Sequence, residues 1–476
     1  MEGEEDFCEN YLLLKPEKAG FLDFMRLLLW SKKLEGRDFC ETRGVTIIPH
    51  RWIVFISLLL QKVLIFLKKP LAAVGTAVET FLNYPAANGG FLRLLLNILT
   101  GRVVKPDKTS AKFASMIGNL DRRLDLDKNI TKESSKYNAS LAMMASKISY
   151  ENEAYVRNAI TNNWQMEFLE FSYFWNDYQE VDKTCAIMFQ DKTTNPPLII
   201  VAFRGTEPFD ADLWRTDIDI SWCEFNGVGK IHSGFMKALG LQKSKGWPKD
   251  IPMGPGHKSY AYYTIREKLK TLINENGDAK FILAGHSLGG ALAILYAFVL
   301  TIHEEEMLLE KLEGVYTYGQ PRVGNKQFGE YMKGKMMEYD VKYFRHVYSN
   351  DVVPRVPFDD KSFMFKHFGP CLYFNSCYKG QILEEEPNKN YFSLFQIVPR
   401  ILNAIYELIR SFILPWKKGP DYREGWLMKL FRLTALGLTP GITDHIPTDY
   451  VNITRLGRLP SSINNPGGPN RNLKKD

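Results

Sequence analysis

The sequence predicts an α/β fold: a mostly parallel central sheet with helices covering both faces. Three observations predict it. Short runs at 185–190, 198–203, 281–284, 314–318 and 342–348 read as strands, 198–203 and 281–284 continuously apolar as strands buried on both faces are, and the last two each following a helical stretch. Helical patterns separate them, as at 258–274, where Tyr262, Ile265, Leu269 and Leu272 recur at helical spacing. Third, the run 281–284 passes through Gly285-His286-Ser287-Leu288-Gly289 straight into a small, apolar helical stretch ending at Leu300.

Composition bounds the function. A chain of 476 residues, 45% hydrophobic and 24% charged, is globular, neither disordered nor a polytopic membrane protein. The net charge of +7 is spread along the chain. It excludes a nucleic-acid arm and favours approach to an anionic lipid surface. Six cysteines show no C-x-x-C pairing; Cys371 and Cys377 lie close enough in sequence to cross-link, but buried free thiols are the expectation. No metal site or cofactor is expected. The acidic N-terminus carries no secretory pattern, so the sequons at Asn129, Asn138 and Asn452 are read as incidental.

The first 110 residues form a hydrophobic, lipid- or membrane-associating region. Apolar segments fall at 21–30, 52–67, 71–82 and 91–99, punctuated by Arg51, Lys68, Lys69, Arg93, Arg102 and Lys105. Segment 52–67 is apolar at 13 of 16 positions, with Gln61 and Lys62 interrupting it. As a helix it would be about 24 Å long, short of the roughly 30 Å of a bilayer core. Pro70 is expected to turn the chain, so that two short helices enter a lipid layer and leave on the same side. The alternative is a helix pair packed on a globular body. The polar stretch 105–138 reads as a linker or as the surface start of a domain covering 111–457. Helices follow at 141–148 and 151–160. The Pro/Asn/Gly-rich tail, 458–476, is expected to be disordered.

The chemistry centres on Ser287. A sharp strand-to-helix turn strains the serine backbone and requires neighbours with almost no side chain, which Gly285, Gly289 and Gly290 provide. The turn also sets Ser287 at a helix N-terminus, where amides stabilise a developing oxyanion. A serine needs a base, and the base an acid. Asp351 follows the strand 342–348 on the edge of the sheet that carries Ser287; a solvated turn or helix cap is its structural alternative. Asp359 and Asp360 lie in a more exposed loop. For the base, His367 lies among Phe363, Phe365 and Phe368, whereas His445 lies in a Gly/Pro-punctuated loop; His346 is inside a strand and precedes the acid. Oxyanion donors are expected from Leu288, the residue after the serine, and from Thr206 after the strand 198–203, unless Thr206 only caps a helix. Segment 207–222, which mixes Asp210, Asp212, Asp217 and Asp219 with Phe209, Leu213, Trp214, Ile218 and Trp222, has the composition of a lid. An ordinary amphipathic surface helix is the alternative.

Six stretches carry a family resemblance: FRGTEP (203–208), HSGF (232–235), AGHSLGGALA (284–293), YTYGQPRVGN (316–325), NDVVPRVP (350–357) and DHIPTDY (444–450). They resemble the fungal-type, class 3 triacylglycerol lipases of the α/β-hydrolase fold, from about residue 140 to 456. The hydrophobic N-terminal region looks most like that of the plant oil-body-associated lipases. The resemblance implies a Ser287–His445–Asp351 triad, an oxyanion hole at Thr206 and Leu288, and a nucleophile elbow framed by Gly285 and Gly289. It implies hydrolysis of fatty-acyl esters of acylglycerols at the cytoplasmic face of a lipid droplet (oil body), with the endoplasmic reticulum membrane as a second seat. Two alternatives stand beside it: a phospholipase A1 or galactolipase of the same fold, and a catalytically silent lipid-droplet scaffold. The chain departs from compact fungal enzymes in the 93 residues separating Asp351 from His445, which hold an apolar insert at 392–416.

Overall fold

The computed structural model describes residues 8–459, apart from 30–36, 45–50, 241–245, 358–364, 389–390, 392 and 437–439. Asp359, Asp360 and the tail from 460 lie outside the described residues. Twelve strands are described: β1 (Asn10–Leu14), β2 (Cys40–Arg43), β3 (Glu167–Asn176), β4 (Val181–Asp191), β5 (Leu198–Phe203), β6 (Trp222–Phe225), β7 (Gly229–His232), β8 (Lys280–His286), β9 (Leu312–Tyr318), β10 (Lys342–Tyr348), β11 (Cys371–Phe374) and β12 (Gly380–Leu383).

Eight of them form one sheet in the order β12-β11-β10-β9-β8-β5-β4-β3. The run from β11 to β5 is parallel, and the outer pairs are antiparallel. Ile199, Val201, Phe281 and Leu283 enter the core on one face; Ile200, Ala202, Ile282 and Ala284 enter the core on the other. Period-2 alternation on a sheet buried on both sides is why these strands read as unbroken apolar runs. This is the α/β-hydrolase fold. Register then sets the site. Phe203 lies beside Gly285, His286 beside Tyr318, and Tyr318 beside His346, so the loops after β5, β8, β9 and β10 open along one edge.

A second, antiparallel sheet runs β2-β1-β6-β7. Through it the N-terminus is woven into the body: Tyr11 pairs with Cys223 and Leu12 with Trp222. All six cysteines are free, Cys371 buried and Cys377 exposed.

The hairpin expected at Pro70 does not form. One 37-residue helix, Arg51–Ala87, contains both Pro70 and Pro85. An interior proline costs about 3 kcal/mol through a lost hydrogen bond and a clash with the carbonyl four residues back. Packing on both sides of Pro70 offsets it. Val54, Ser57, Leu58 and Gln61 are buried before it, and Gly75 and Asn83 after it. The Asn83 amide donates to the Ala114 carbonyl at 2.8 Å and accepts from the Ala114 N–H at 2.9 Å. The next helix, Phe91–Leu99, buries no residue at all. Among the described residues no helix is long and apolar enough to cross a membrane.

Nor is 105–138 a solvated linker. Arg123, nearly fully buried, forks onto Asp121 and bonds the Asn452 side-chain oxygen at 2.6 Å and the Thr448 carbonyl at 3.0 Å. This buried, multiply bonded guanidinium staples the polar stretch to the helix Pro447–Leu456.

Candidate active site

Ser287 sits between β8 and the helix Leu288–Ile302 with φ 59° and ψ −131°, a conformation that L residues rarely adopt. The two glycines around it are needed by close approach. A Cβ at Gly285 would lie 2.1 Å from the Gly289 carbonyl, and one at Gly289 would lie 2.1 Å from the Phe203 oxygen. Gly290 is less constrained, its nearest neighbour being 3.1 Å from such a Cβ.

The loops bring Ser287, His445 and Asp351 together. The Ser287 hydroxyl is 2.8 Å from His445 Nε2, and His445 Nδ1 is 2.8 and 3.0 Å from the two Asp351 oxygens. A carboxylate only accepts, so Nδ1–H donates to Asp351, and Nε2 is left to accept from the serine O–H. Asp351 is fully buried. Its carboxylate also accepts from the Val353 N–H at 2.9 Å and from the Tyr450 hydroxyl at 2.5 Å. Neither His346 nor His367 joins them. His346 stacks on Tyr318 and bonds the Thr317 carbonyl, and burial depresses its pKa to about 4. His367 donates from Nε2 to the Pro354 carbonyl at 2.7 Å, and burial holds its pKa well below the usual imidazole range.

Three further groups act on the site without having been singled out in the sequence. His286 donates from Nε2 to the His445 carbonyl at 2.7 Å and accepts the Tyr150 O–H at Nδ1, 2.9 Å away. Burial, and then the nearby His445 ring, keep it neutral. This bond holds the backbone of His445. Tyr450 similarly holds the Asp351 carboxylate. Asp217 accepts from the Thr206 hydroxyl at 2.6 Å, while its other oxygen is buried and has no hydrogen-bond partner among the described residues. His286 lies in the AGHSLGGALA stretch, Tyr450 in DHIPTDY and the Thr206 partner of Asp217 in FRGTEP, whereas Asp217 itself reads in the sequence as one acid among four in segment 207–222.

The lid segment is the helix Ala211–Ile218, capped by the Asp210 side chain. It is sandwiched. Leu213 is buried in the main core below. Above, the Ser57 hydroxyl donates to the Ile218 carbonyl at 2.9 Å, Lys68 pairs with Asp212 at 2.7 Å, and Phe209 packs against Gly75. Arg215 pairs with Glu17 as well. Ser287 itself is only 2% exposed.

Asp217 ties the stability of the fold to pH. Burial pushes its carboxyl up to about 7, with the Thr206 bond and the His445 charge opposing. Below its ordinary value of 3.8 it is neutral in the folded and unfolded chain alike, and its stabilising contribution is fully present. As pH rises toward 7 the unfolded carboxyl ionises and the folded one resists, so that contribution is lost. Asp217→Asn, which keeps an acceptor for Thr206, is expected to gain stability relative to wild type across this window and to hold the gain above it. Urea midpoints at several pH values measure it; parallel curves for the two proteins would refute it.

With the geometry in place, the comparisons are specific. Residues 200–361 match the family model described as Lipase (class 3). The chain belongs to the class 3 lipase family, and it is an enzyme. Over nearly its full length it is similar to the triacylglycerol lipase OBL1 of Nicotiana tabacum, 40% identical with 95% of each chain covered. Triacylglycerol lipase OBL1 of Arabidopsis thaliana is also 40% identical, covering 94% of this chain and 95% of its own. Among solved structures, a Rhizomucor miehei lipase propeptide complex aligns with TM-score 0.40 and 20% identity, over 54% of this chain and 73% of that one.

Proposed function

We propose that this lipase hydrolyses triacylglycerol at a lipid-droplet surface, using Ser287, His445 and Asp351 as a triad. The observation that carries the reading is the unbroken chain of hydrogen bonds from the Ser287 hydroxyl through His445 to the buried Asp351 carboxylate. His445 Nε2 takes the serine proton as Oγ attacks the ester carbonyl. The tetrahedral oxyanion forms at the start of the helix Leu288–Ile302, where the Leu288 N–H has no intrahelical carbonyl to bond. The Thr206 N–H, steadied through its hydroxyl by Asp217, is the second donor. Imidazolium then returns the proton to the leaving diacylglycerol, and a water deprotonated by His445 releases the fatty acid. Residues 1–110 supply the lipid-facing region, with Phe66, Phe81, Phe91, Leu92 and Leu99 strongly exposed.

Assaying one preparation against triacylglycerol, diacylglycerol, phospholipid and galactolipid tests the reading. Triacylglycerol is expected to be the preferred substrate, and a clear preference for either polar lipid would replace it with a phospholipase or galactolipase. A serine-directed fluorophosphonate is expected to label the wild type, which a silent scaffold would not permit. Thr206→Val, which detaches Thr206 from Asp217, is expected to lower turnover on the order of 10²-fold. An unchanged rate would remove Thr206 from the oxyanion site.

A further inference from the structure

The insert between Asp351 and His445 folds into two helices, Ile397–Lys418 and Trp426–Ala435. Their amphipathicity is inverted. Surface helices ordinarily turn charge to water and apolar residues to the core. Here the inward face of the first helix is Arg400, Ala404, Glu407, Arg410 and Ser411. Glu407 accepts from Arg432 at 2.9 Å and from the Tyr348 hydroxyl at 2.8 Å, and Arg410 donates to Asp449 at 3.0 Å. Asn403 bonds the Ser349 hydroxyl at 3.0 Å, two residues before Asp351. The outward face is apolar: Leu402 is 62% exposed, Ile409 52%, Phe412 56%, Trp416 91%, and Trp426 on the second helix 71%.

Such a face needs an occupant, since contiguous exposed apolar area of this size is uncommon in water. Charge identifies it. Lys417 and Lys418 are exposed beside Trp416, and the Lys429 ammonium lies 4.4 Å above the Phe412 ring. Tryptophan and phenylalanine flanked by lysine suit the boundary between acyl chains and anionic head groups. The ionic inner face ties the helix to the body, so it lies along a surface and cannot cross one. The second helix is also tied to the N-terminal region through the core. Met428 packs with Ile117 and Leu120 of the short helix Met116–Leu120, whose Met116 N–H bonds Glu79 of the long helix at 2.9 Å.

We propose that the outward face of Ile397–Lys418 and Trp426–Ala435 is a second lipid-docking surface, seated in the head-group layer of an anionic monolayer beside the catalytic loops. It rests on the reading of a lipase working at a lipid surface, and it adds a contact that the N-terminal region does not provide. The test uses the full chain and triolein droplets coated with phosphatidylcholine, with or without phosphatidylserine. The triple variant Leu402→Glu, Ile409→Glu, Phe412→Glu is expected to lose at least about tenfold in droplet binding and in emulsion hydrolysis. Its hydrolysis of a soluble butyrate ester is expected to match wild type. The pair Lys417→Glu, Lys418→Glu, which alters no packed side chain, is expected to abolish most of the phosphatidylserine dependence alone. Wild-type droplet binding by the triple variant, or binding by the lysine pair that still rises with phosphatidylserine as in wild type, overturns the proposal. So does a wild-type dimer that the triple variant splits in light scattering, because the face would then belong to a second copy. If wild type cleaves the soluble ester but no emulsified triacylglycerol, the substrate reading fails, while droplet binding is still scored separately.

Discussion

Ser287→Ala is expected to lower hydrolysis of soluble and emulsified esters alike by about 10⁴- to 10⁶-fold, and adding His445→Ala to cost almost nothing further. Among the described residues the serine oxygen is the hydroxyl bonded to His445 Nε2, and without it the imidazole has no serine proton to accept. Groups that work in one proton transfer are not additive, so the double mutant distinguishes a shared role from two separate structural losses. The strained backbone at Ser287 is unaffected by removing an oxygen, and Ser287→Ala should therefore unfold at the wild-type midpoint. A further tenfold or greater loss in the double mutant would mean that the two residues act independently.

Asp351→Asn is expected to cost on the order of 10⁴-fold in turnover with the fold retained. A carboxylate compels His445 to carry its proton on Nδ1, whereas a carboxamide can present N–H instead and reverse the tautomer. Nε2 would then face Ser287 as a donor. Tyr450→Phe provides the calibration. It removes only the 2.5 Å bond to Asp351 and leaves the charge, so its loss should be far smaller. Equal losses in the two variants would place the effect in the shape of the loop and not in the tautomer. A rate near wild type for Asp351→Asn would remove Asp351 from the triad.

The central sheet was legible because its inner strands are buried on both faces, so 198–203 announces itself as an apolar run, and 342–348 as a strand following a helical stretch, both with the bounds observed. The serine turn was legible because close backbone approach restricts Gly285 and Gly289 to one residue type. The small sheet left no such trace. β1 has five residues and its partner β6 is more than two hundred positions away, so its pairing has no local period. Pro70 misled for a related reason: local chemistry forbids an interior proline, and contacts from the lid and from Ala114 overrule it. Asp217, His286 and Tyr450 were hidden because each matters through its partner, Thr206, the His445 carbonyl and Asp351, and partners across a fold are not written in spacing.

The pairing of β1 with β6 bears on how the N-terminal region can be dissected. Cutting the chain before residue 105 takes away more than a lipid-facing helix. It leaves the amides and carbonyls of Trp222, Cys223 and Glu224 as a raw sheet edge, the kind of surface that recruits other chains into aggregates. It also lifts Ser57 and Lys68 off the helix Ala211–Ile218, which carries the Asp217 partner of Thr206. A truncated enzyme that sediments or changes in activity would thus be reporting a torn sheet and a loosened helix, whatever its affinity for oil. Point changes at solvent-facing positions such as Phe66 and Leu92 separate these effects, since they alter the exposed apolar surface and leave the stitching intact.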